Sequence, residues 1–392
     1  MKSASVEMFE RGLIEAGAQL VEKWAHFIDA DGAPPVKDEY KRYQLARMLD
    51  TSDKVLQREA LQTTTAFGTA YVKAMLGMTR QIFPRMFGTD FVSVQALDRP
   101  EGQIFHLALT RDDGSATGGA VAPDGDASGQ GYSLYTVSKT YADHANGEGG
   151  AIAKSMALGI TASSVKINKV KKLGTSASWE LATDLQAYHN LNPMDLLQGA
   201  AVDEIAQEKD AEIVVACRAA AIANKTVTFG LQVPSAYQYA PDDYRKRIQR
   251  AILEADKAIY VKTNRHANVM AVGVDAFMEL MDLNSFVVSP DMDWENASWG
   301  LQPVGTLNSQ YKVFLSRALP DKEIIIGRKG SGFLDAGIVY SPYVDLFITD
   351  RFFDVNTQKT SQSFASRYDI FTISNGLYAR IVLDPNSSGI TA

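Results

Sequence analysis

Cysteine is almost missing from this chain: Cys217 stands alone in 392 residues. A lone thiol excludes an intramolecular disulfide framework and any zinc site built on several cysteines, and it fits a reducing cytoplasm. Histidine is scarce as well. His26, His106, His144, His189 and His266 are scattered, and none lies three or four residues from another, the spacing that sets two metal ligands on one helix face. No run of about 18 apolar residues occurs, which excludes a membrane-spanning helix. The opening MKSASVEMFERGLIEAG carries glutamates where a secretory signal needs an apolar centre, so export by that route is not expected. Positive charge is in deficit, with 39 lysines and arginines against 46 aspartates and glutamates, a net −7. Duplex binding works by displacing counterions from phosphates with cationic side chains, so any contact with DNA is expected to be weak and non-specific.

Catalytic motifs are missing in the same way. GRKGSG (327–332) has glycines and a lysine but not the spacing that cradles phosphate, and it reads as a turn. DGDASGQGYSLY (124–135) begins like a calcium loop, yet Tyr135 stands where the bidentate glutamate belongs. Asp291, Asp293 and Glu295 gather three carboxylates in an ordinary acidic loop. No G-x-S-x-G elbow is present, and Cys217 falls in an apolar helical stripe where an inert buried thiol belongs. The expectation is a chain with no catalytic residues, no metal and no cofactor.

What the chain does have is a core. Apolar residues make up 46% and charged residues 22%, the balance of an ordinary globular protein, and at about 150 residues per domain the length suggests two or three domains. Val6, Phe9, Leu13, Ala16, Leu20, Trp24 and Phe27 recur at helical spacing, weakened by Gly12 and Gly17, so this helix needs a neighbour to pack on. A second helix is expected over 38–50, and the two read as an arm of short helices. A third helical stretch runs from Tyr71 to Met86, followed by strand, turn and strand over 91–110 around DRPEG. Residues 111–150 are rich in Gly, Asp and Ser and read as an extended excursion. It returns through Val165, Lys166, Ile167, Lys169, Lys171 and Lys172 as a solvated hairpin arm. Asn192, Pro193 and Asp195 announce a helix of about 30 residues, which would span on the order of 45 Å. Residues 227–329 alternate helix and strand, and two apolar strands close the chain over 335–374. These reaching elements offset their ordering entropy only by packing on other copies, which points to assembly.

Five segments carry a resemblance: RQIFPRMFGTDFVSVQALDRPEGQIFHL (80–107), WELATDLQAYHNLNPMDLLQGAAVDEIAQEKDAEIV (179–214), ANVMAVGVDAFMEL (267–280), VGTLNSQYKVFLS (304–316) and GFLDAGIVYSPYV (332–344). In this order the chain resembles the major capsid protein of T-even-type myoviruses. The resemblance implies the α+β tailed-phage major capsid fold. Its parts would be an N-terminal arm (1–70), a peripheral domain beginning at 71–111, an extended loop (112–177) and a spine helix (178–224). An axial domain (225–333) and closing peripheral strands (334–392) would follow. The span 112–177 leaves no space for the large extra domain that family members can carry there.

The implied function is self-assembly as hexamers and pentamers into an icosahedral phage head around double-stranded DNA. The partners would be other copies, portal, scaffold and possible decoration proteins, with no membrane, and assembly would take place in the host bacterial cytoplasm. Lys166, Lys169, Lys171 and Lys172 are expected to meet an acidic patch on a neighbouring subunit, and Phe9, Leu13, Leu20, Trp24 and Phe27 to pack the arm. Leu13-Ile14-Glu15 resembles a maturation cleavage site after Glu15; because the chain begins at Met1, that site is expected to be intact here. The rival readings are an encapsulin-like compartment shell and a cytosolic α/β enzyme with its site in 225–333.

Overall fold

The computed structural model describes residues 4–29, 39–60, 86–112, 155–168, 170–234, 244–263, 265–288, 301–330 and 337–391. The chain opens on α1 (Ala4–Ile28) and α2 (Glu39–Ala60), of 25 and 22 residues, longer than the short helices expected. Their partner lies within the chain. Trp24 and Ile28 are buried with Leu45, Ala46, Met48 and Leu49 in the main hydrophobic core, with Leu20 and Phe27 packed against it. Gly17, a weak point for helix propensity, faces α2: a Cβ there would sit 2.2 Å from Tyr43 Cε2. Asp50 on α2 accepts from Lys23 at 2.7 Å across the pair and from Lys54 at 2.6 Å along its own helix.

After a 3-10 turn at Phe87–Asp90 come β1 (Ser93–Val94), β2 (Glu101–Asp112), β3 (Ser155–Lys166), β4 (Lys171–Ser178), α3 (Trp179–His189), α4 (Pro193–Asn224) and β5 (Thr226–Leu231). Next are α5 (Ile248–Thr263), β6 (Val269–Val272), α6 (Val274–Met281), β7 (Phe286–Val288), β8 (Leu301–Leu307), β9 (Tyr311–Ser316) and β10 (Glu323–Gly327). The chain closes with β11 (Ile338–Ile348), β12 (Phe352–Asp354), β13 (Lys359–Thr372), β14 (Tyr378–Asp384) and β15 (Ser388–Thr391). The third helical stretch expected over 71–86 lies almost wholly outside the described residues.

The long helix is α4, with 32 residues and a length of about 48 Å. Its start follows the sequence signals. Asn192 Oδ1 accepts from the Met194 N–H at 3.1 Å, Pro193 fills the first turn and Asp195 sits at the positive end of the dipole. Ala201, Ile205, Ile213 and Cys217 are buried, so the expected stripe faces the core.

Two sheets meet this helix. One has five strands, in the order β1-β11-β13-β12 with β4 also on β13; the other has eight, in the order β15-β5-β14-β10-β6-β9-β8-β7. In β6, adjacent residues point to opposite faces, and Val269 and Ala271 join the core shared with α4 while Met270 and Val272 join a second core beneath α5 and α6. The eight-stranded sheet is therefore sandwiched between α4 and the α5–α6 pair.

The pairing differs from the sequence expectation in three places. The strands over 91–110 do not pair with each other: β1 runs parallel to β11, and β2 pairs with β3 over Glu101–Asp112 in a separate ribbon. The return segment is not one hairpin, because β3 belongs to that ribbon and β4 pairs with β13 from Ser178↔Lys359 to Lys171↔Ser366. Buried Ile167 marks the point where the chain parts, packed with Leu97, Ile104 and Tyr343. The ribbon thus starts at Glu101, before the boundary expected at 112, and β4 lies in the five-stranded sheet. Finally, of the closing segment 334–392, β11 and β13 complete the five-stranded sheet beside β1, but β14 inserts between β5 and β10 of the other sheet. Tyr378, Ala379, Ile381 and Leu383 are fully or almost fully buried, which an edge position would not provide.

Candidate assembly surfaces

Polar groups fix α4 against both sheets. Lys209 and Asp345 are both fully buried, and Lys209 Nζ donates to Asp345 Oδ1 at 2.5 Å and to the Asp345 carbonyl at 3.0 Å. The Tyr340 hydroxyl lies 3.4 Å from the same Oδ1, and burial, reinforced by the Asp345 charge, raises its pKa well above the usual phenol value, so it stays a donor. The neighbouring Asp210 accepts from the Gly88 N–H at 2.9 Å. A turn below, Glu212 accepts from the Tyr368 hydroxyl at 2.9 Å and pairs with Lys171. At the other end, Arg218 grips Glu323 of β10 through two bonds of 2.6 and 2.9 Å, and Arg380 of β14 adds a third at 3.2 Å. Helix α4 is thereby bolted to both sheets by charge-assisted bonds.

Sequence reading missed this node, although a signal existed. Lys209 falls on the line Ala201, Ile205, Ile213, Cys217 at four-residue steps, and Asp345 falls inside the apolar run IVYSPYVDLFI. A charge in the phase of a buried stripe needs a buried partner, and the chain supplies one.

The lysines expected to meet a neighbour are divided by the structure. Lys166 pairs with Glu101 across the ribbon, its cross-strand partner. Lys171 points inward to Glu212, with its ammonium 5.4 Å from the centre of the Tyr368 ring. Lys172, next along β4, points outward and is exposed. Lys169 lies outside the described residues. Of the arm residues, Leu20, Trp24 and Phe27 pack within the chain; Phe9 and Leu13 are on α1, their side chains outside the described residues. Glu15 is exposed on α1, within helix.

Other sequence candidates resolve into structural roles. His266 Nδ1 lies 2.6 Å from Asp256 Oδ2, while Asp256 Oδ1 accepts from the Ala267 N–H at 2.6 Å, which closes the turn after α5. Burial raises the Cys217 thiol pKa, so it stays neutral. Lys329, from GRKGSG, is held by Asn268 Oδ1 at 3.0 Å and donates to the Thr89 carbonyl. Among the described residues no three His, Cys, Asp or Glu side chains gather as metal ligands. The loops at 124–135 and 291–295 lie outside the described residues.

Large apolar side chains are also exposed. Where α3 meets the β12–β13 turn, Trp179, Leu181, Tyr188, Phe352 and Val355 are exposed; the Trp179 N–H bonds to the Gln358 carbonyl at 3.1 Å, and Arg351 reaches Asp195 at the start of α4. A second set lies on α5, α6 and β7. Exposed apolar groups that gather into a contiguous patch mark surfaces that other chains cover.

The profile of the family described as "Major capsid protein Gp23" matches residues 69–149 and 121–387. The major capsid protein of Enterobacteria phage T6 is 22% identical over 457 aligned positions, covering 85% of this chain and 90% of that protein. That of Vibrio phage KVP40 is 26% identical over 202 residues, which is 45% of this chain and 38% of that protein. Among solved structures, one from Microbacterium phage Oxtober96 has a TM-score of 0.43 at 13% identity, covering 76% of this chain and 91% of its own.

Proposed function

The chain belongs to the Gp23 major capsid protein family, and from that premise we propose that it assembles as hexamers and pentamers into an icosahedral tailed-phage head enclosing double-stranded DNA. It is a structural protein of the virion that self-assembles, not an enzyme, and it has the α+β tailed-phage capsid fold of its family. Neither a compartment shell around cargo nor an α/β enzyme is supported. The observation that carries the reading is a family match running along most of the chain, in a molecule whose long helix is bolted to two sheets and whose element ends carry exposed apolar residues.

In this reading 1–70 is the N-terminal arm and the ribbon begun by β2 and β3 is the base of the extended loop. Helix α4 is the spine, the five-stranded sheet the peripheral domain, and the eight-stranded sheet with α5 and α6 the axial domain, completed by β14 and β15. Lys172 is the lysine of the original cluster best placed to meet a neighbour. Portal, scaffold and decoration proteins are the further partners, assembly takes place in the host bacterial cytoplasm, and Glu15 is a candidate cleavage site. The net charge of −7 suits a wall that confines DNA without gripping it. Negative-stain microscopy with sedimentation velocity, on the chain alone and co-expressed with its neighbouring genes, tests this. Closed shells or hexameric capsomers are expected; a monomer or dimer under both conditions refutes it.

A further inference from the structure

Helices α5 and α6 lie on the same face of the eight-stranded sheet, and their outer sides carry opposite charge. On α5, Arg250, Leu253, Lys257 and Val261 recur at steps of three and four, so they form one line along the helix. All four are exposed, Leu253 at 55% and Val261 at 72%. Arg245 and Lys246 extend the basic side towards the helix start. Glu254 lies beside this line and pairs with Lys257 at 2.9 Å, yet the lysine side chain remains 65% exposed.

On α6, Val274, Met278 and Met281 form a second exposed line, flanked by exposed Asp275 and Asp282 and half-buried Glu279. The apolar surface continues onto β7 through Val288, which shares its face with Phe286, and β7 ends the described strand order of its sheet. Edge-to-face contact of Phe277 and Phe286, 5.9 Å between centroids, holds α6 and β7 as one surface.

We propose that copies of this chain join head to tail, with the acidic, methionine-bearing α6–β7 edge of one seated on the basic, apolar α5 of the next. The inference rests on the capsid reading, since it takes a second copy as the partner. Charge selects the pairing. An α6–α6 contact sets Asp275 and Asp282 against their own kind, and an α5–α5 contact does the same with Arg250 and Lys257, whereas α6 on α5 matches opposite charges around two apolar lines. In a ring each copy engages its two halves with different neighbours, a heterologous contact that repeats in one direction until the rotation closes. Methionine suits this role because its flexible side chain adapts to subunits meeting at slightly different angles.

The test uses full-length chains and two reversals, R250E/K257E and D275K/D282K, each read by sedimentation velocity and negative-stain microscopy beside the wild type. These side chains are exposed, and circular dichroism and thermal midpoints should match the wild type; should a reversal fail to fold, R250Q/K257Q or D275N/D282N takes its place with a smaller expected loss. Each variant alone should lose capsomers by about tenfold or more, since every contact in the ring then sets like charges together. An equimolar mixture should recover hexamers, because six alternating chains restore opposite charges at each contact, whereas a ring of five must keep one like-charge contact. The proposal is overturned if either variant assembles as the wild type does, or if the mixture assembles no better than its components. If the wild type stays monomeric or dimeric both alone and co-expressed with its neighbouring genes, the capsid reading fails and takes this contact with it; if wild type and variants all assemble, only this contact fails.

Discussion

Replacing Lys209 by methionine tests the node on which the architecture depends. The substitution keeps an unbranched chain of similar length and removes both hydrogen bonds that Lys209 Nζ donates, at 2.5 Å to Asp345 Oδ1 and at 3.0 Å to the Asp345 carbonyl. It leaves a carboxylate with no exposed surface, whose Oδ2 has no partner among the described residues and whose Oδ1 keeps, among them, the Tyr340 hydroxyl at 3.4 Å. A buried charge stripped of its counter-ion costs about 3–5 kcal/mol. Urea unfolding of the unassembled chain, followed by tryptophan fluorescence, reads this through Trp24, which lies in the same core. With a slope of about 3 kcal/mol per molar urea, the midpoint should fall by roughly 1 M or more. The double variant K209M/D345L separates ion pairing from packing. Desolvation offsets most of the Coulomb attraction in the native pair, so removing both charges should restore stability to within about 1 kcal/mol of wild type or better. A cost below about 1 kcal/mol for K209M, or a double variant no more stable than K209M, refutes the reasoning.

Gly17→Ala gains about 1 kcal/mol of helix propensity but forces a Cβ to within 2.2 Å of Tyr43 Cε2, an overpacking that costs about 1–3 kcal/mol; limited proteolysis should cut α1 faster, and Tyr43→Leu in the same chain should reverse the effect. Asp50 is pulled two ways: burial raises its pKa, but hydrogen bonds from Lys23 and Lys54 outweigh it and hold the carboxyl below its usual 3.8. Its contribution is therefore present above the unfolded value and lost as pH falls through the lower folded value, so Asp50→Asn should flatten the fall in thermal midpoint below about pH 4. Cys217 is buried and its thiol stays protonated, so a disulfide reagent at about pH 8 should label it only on unfolding, and rapid labelling of the folded chain would place it elsewhere.

Local signals were legible wherever one element carried its own pattern. Asn192, Pro193 and Asp195 mark the start of α4, and Ile248, Ile252, Ala255 and Ile259 keep helical phase and are buried on α5. Pairing was not legible, because it depends on residues far away in the chain. Glu101–Asp112 looks like half of a local hairpin, but its partner lies past a long glycine-rich stretch at Ser155–Lys166. Tyr378–Asp384 follows directly on the five-stranded sheet yet crosses to the other, next to β5.

The lysine cluster shows what periodicity can still add. Lys171 and Lys172 are adjacent in a strand and so must point to opposite faces: one is committed to Glu212 and holds the fold, and only the other is available to a neighbouring chain. Reversing both together would mix loss of fold with loss of assembly. Reversing Lys172 alone, with thermal midpoint measured beside shell yield, isolates the second: an unchanged midpoint with fewer shells supports contact with a neighbour, and unchanged yield removes Lys172 from the assembly surface.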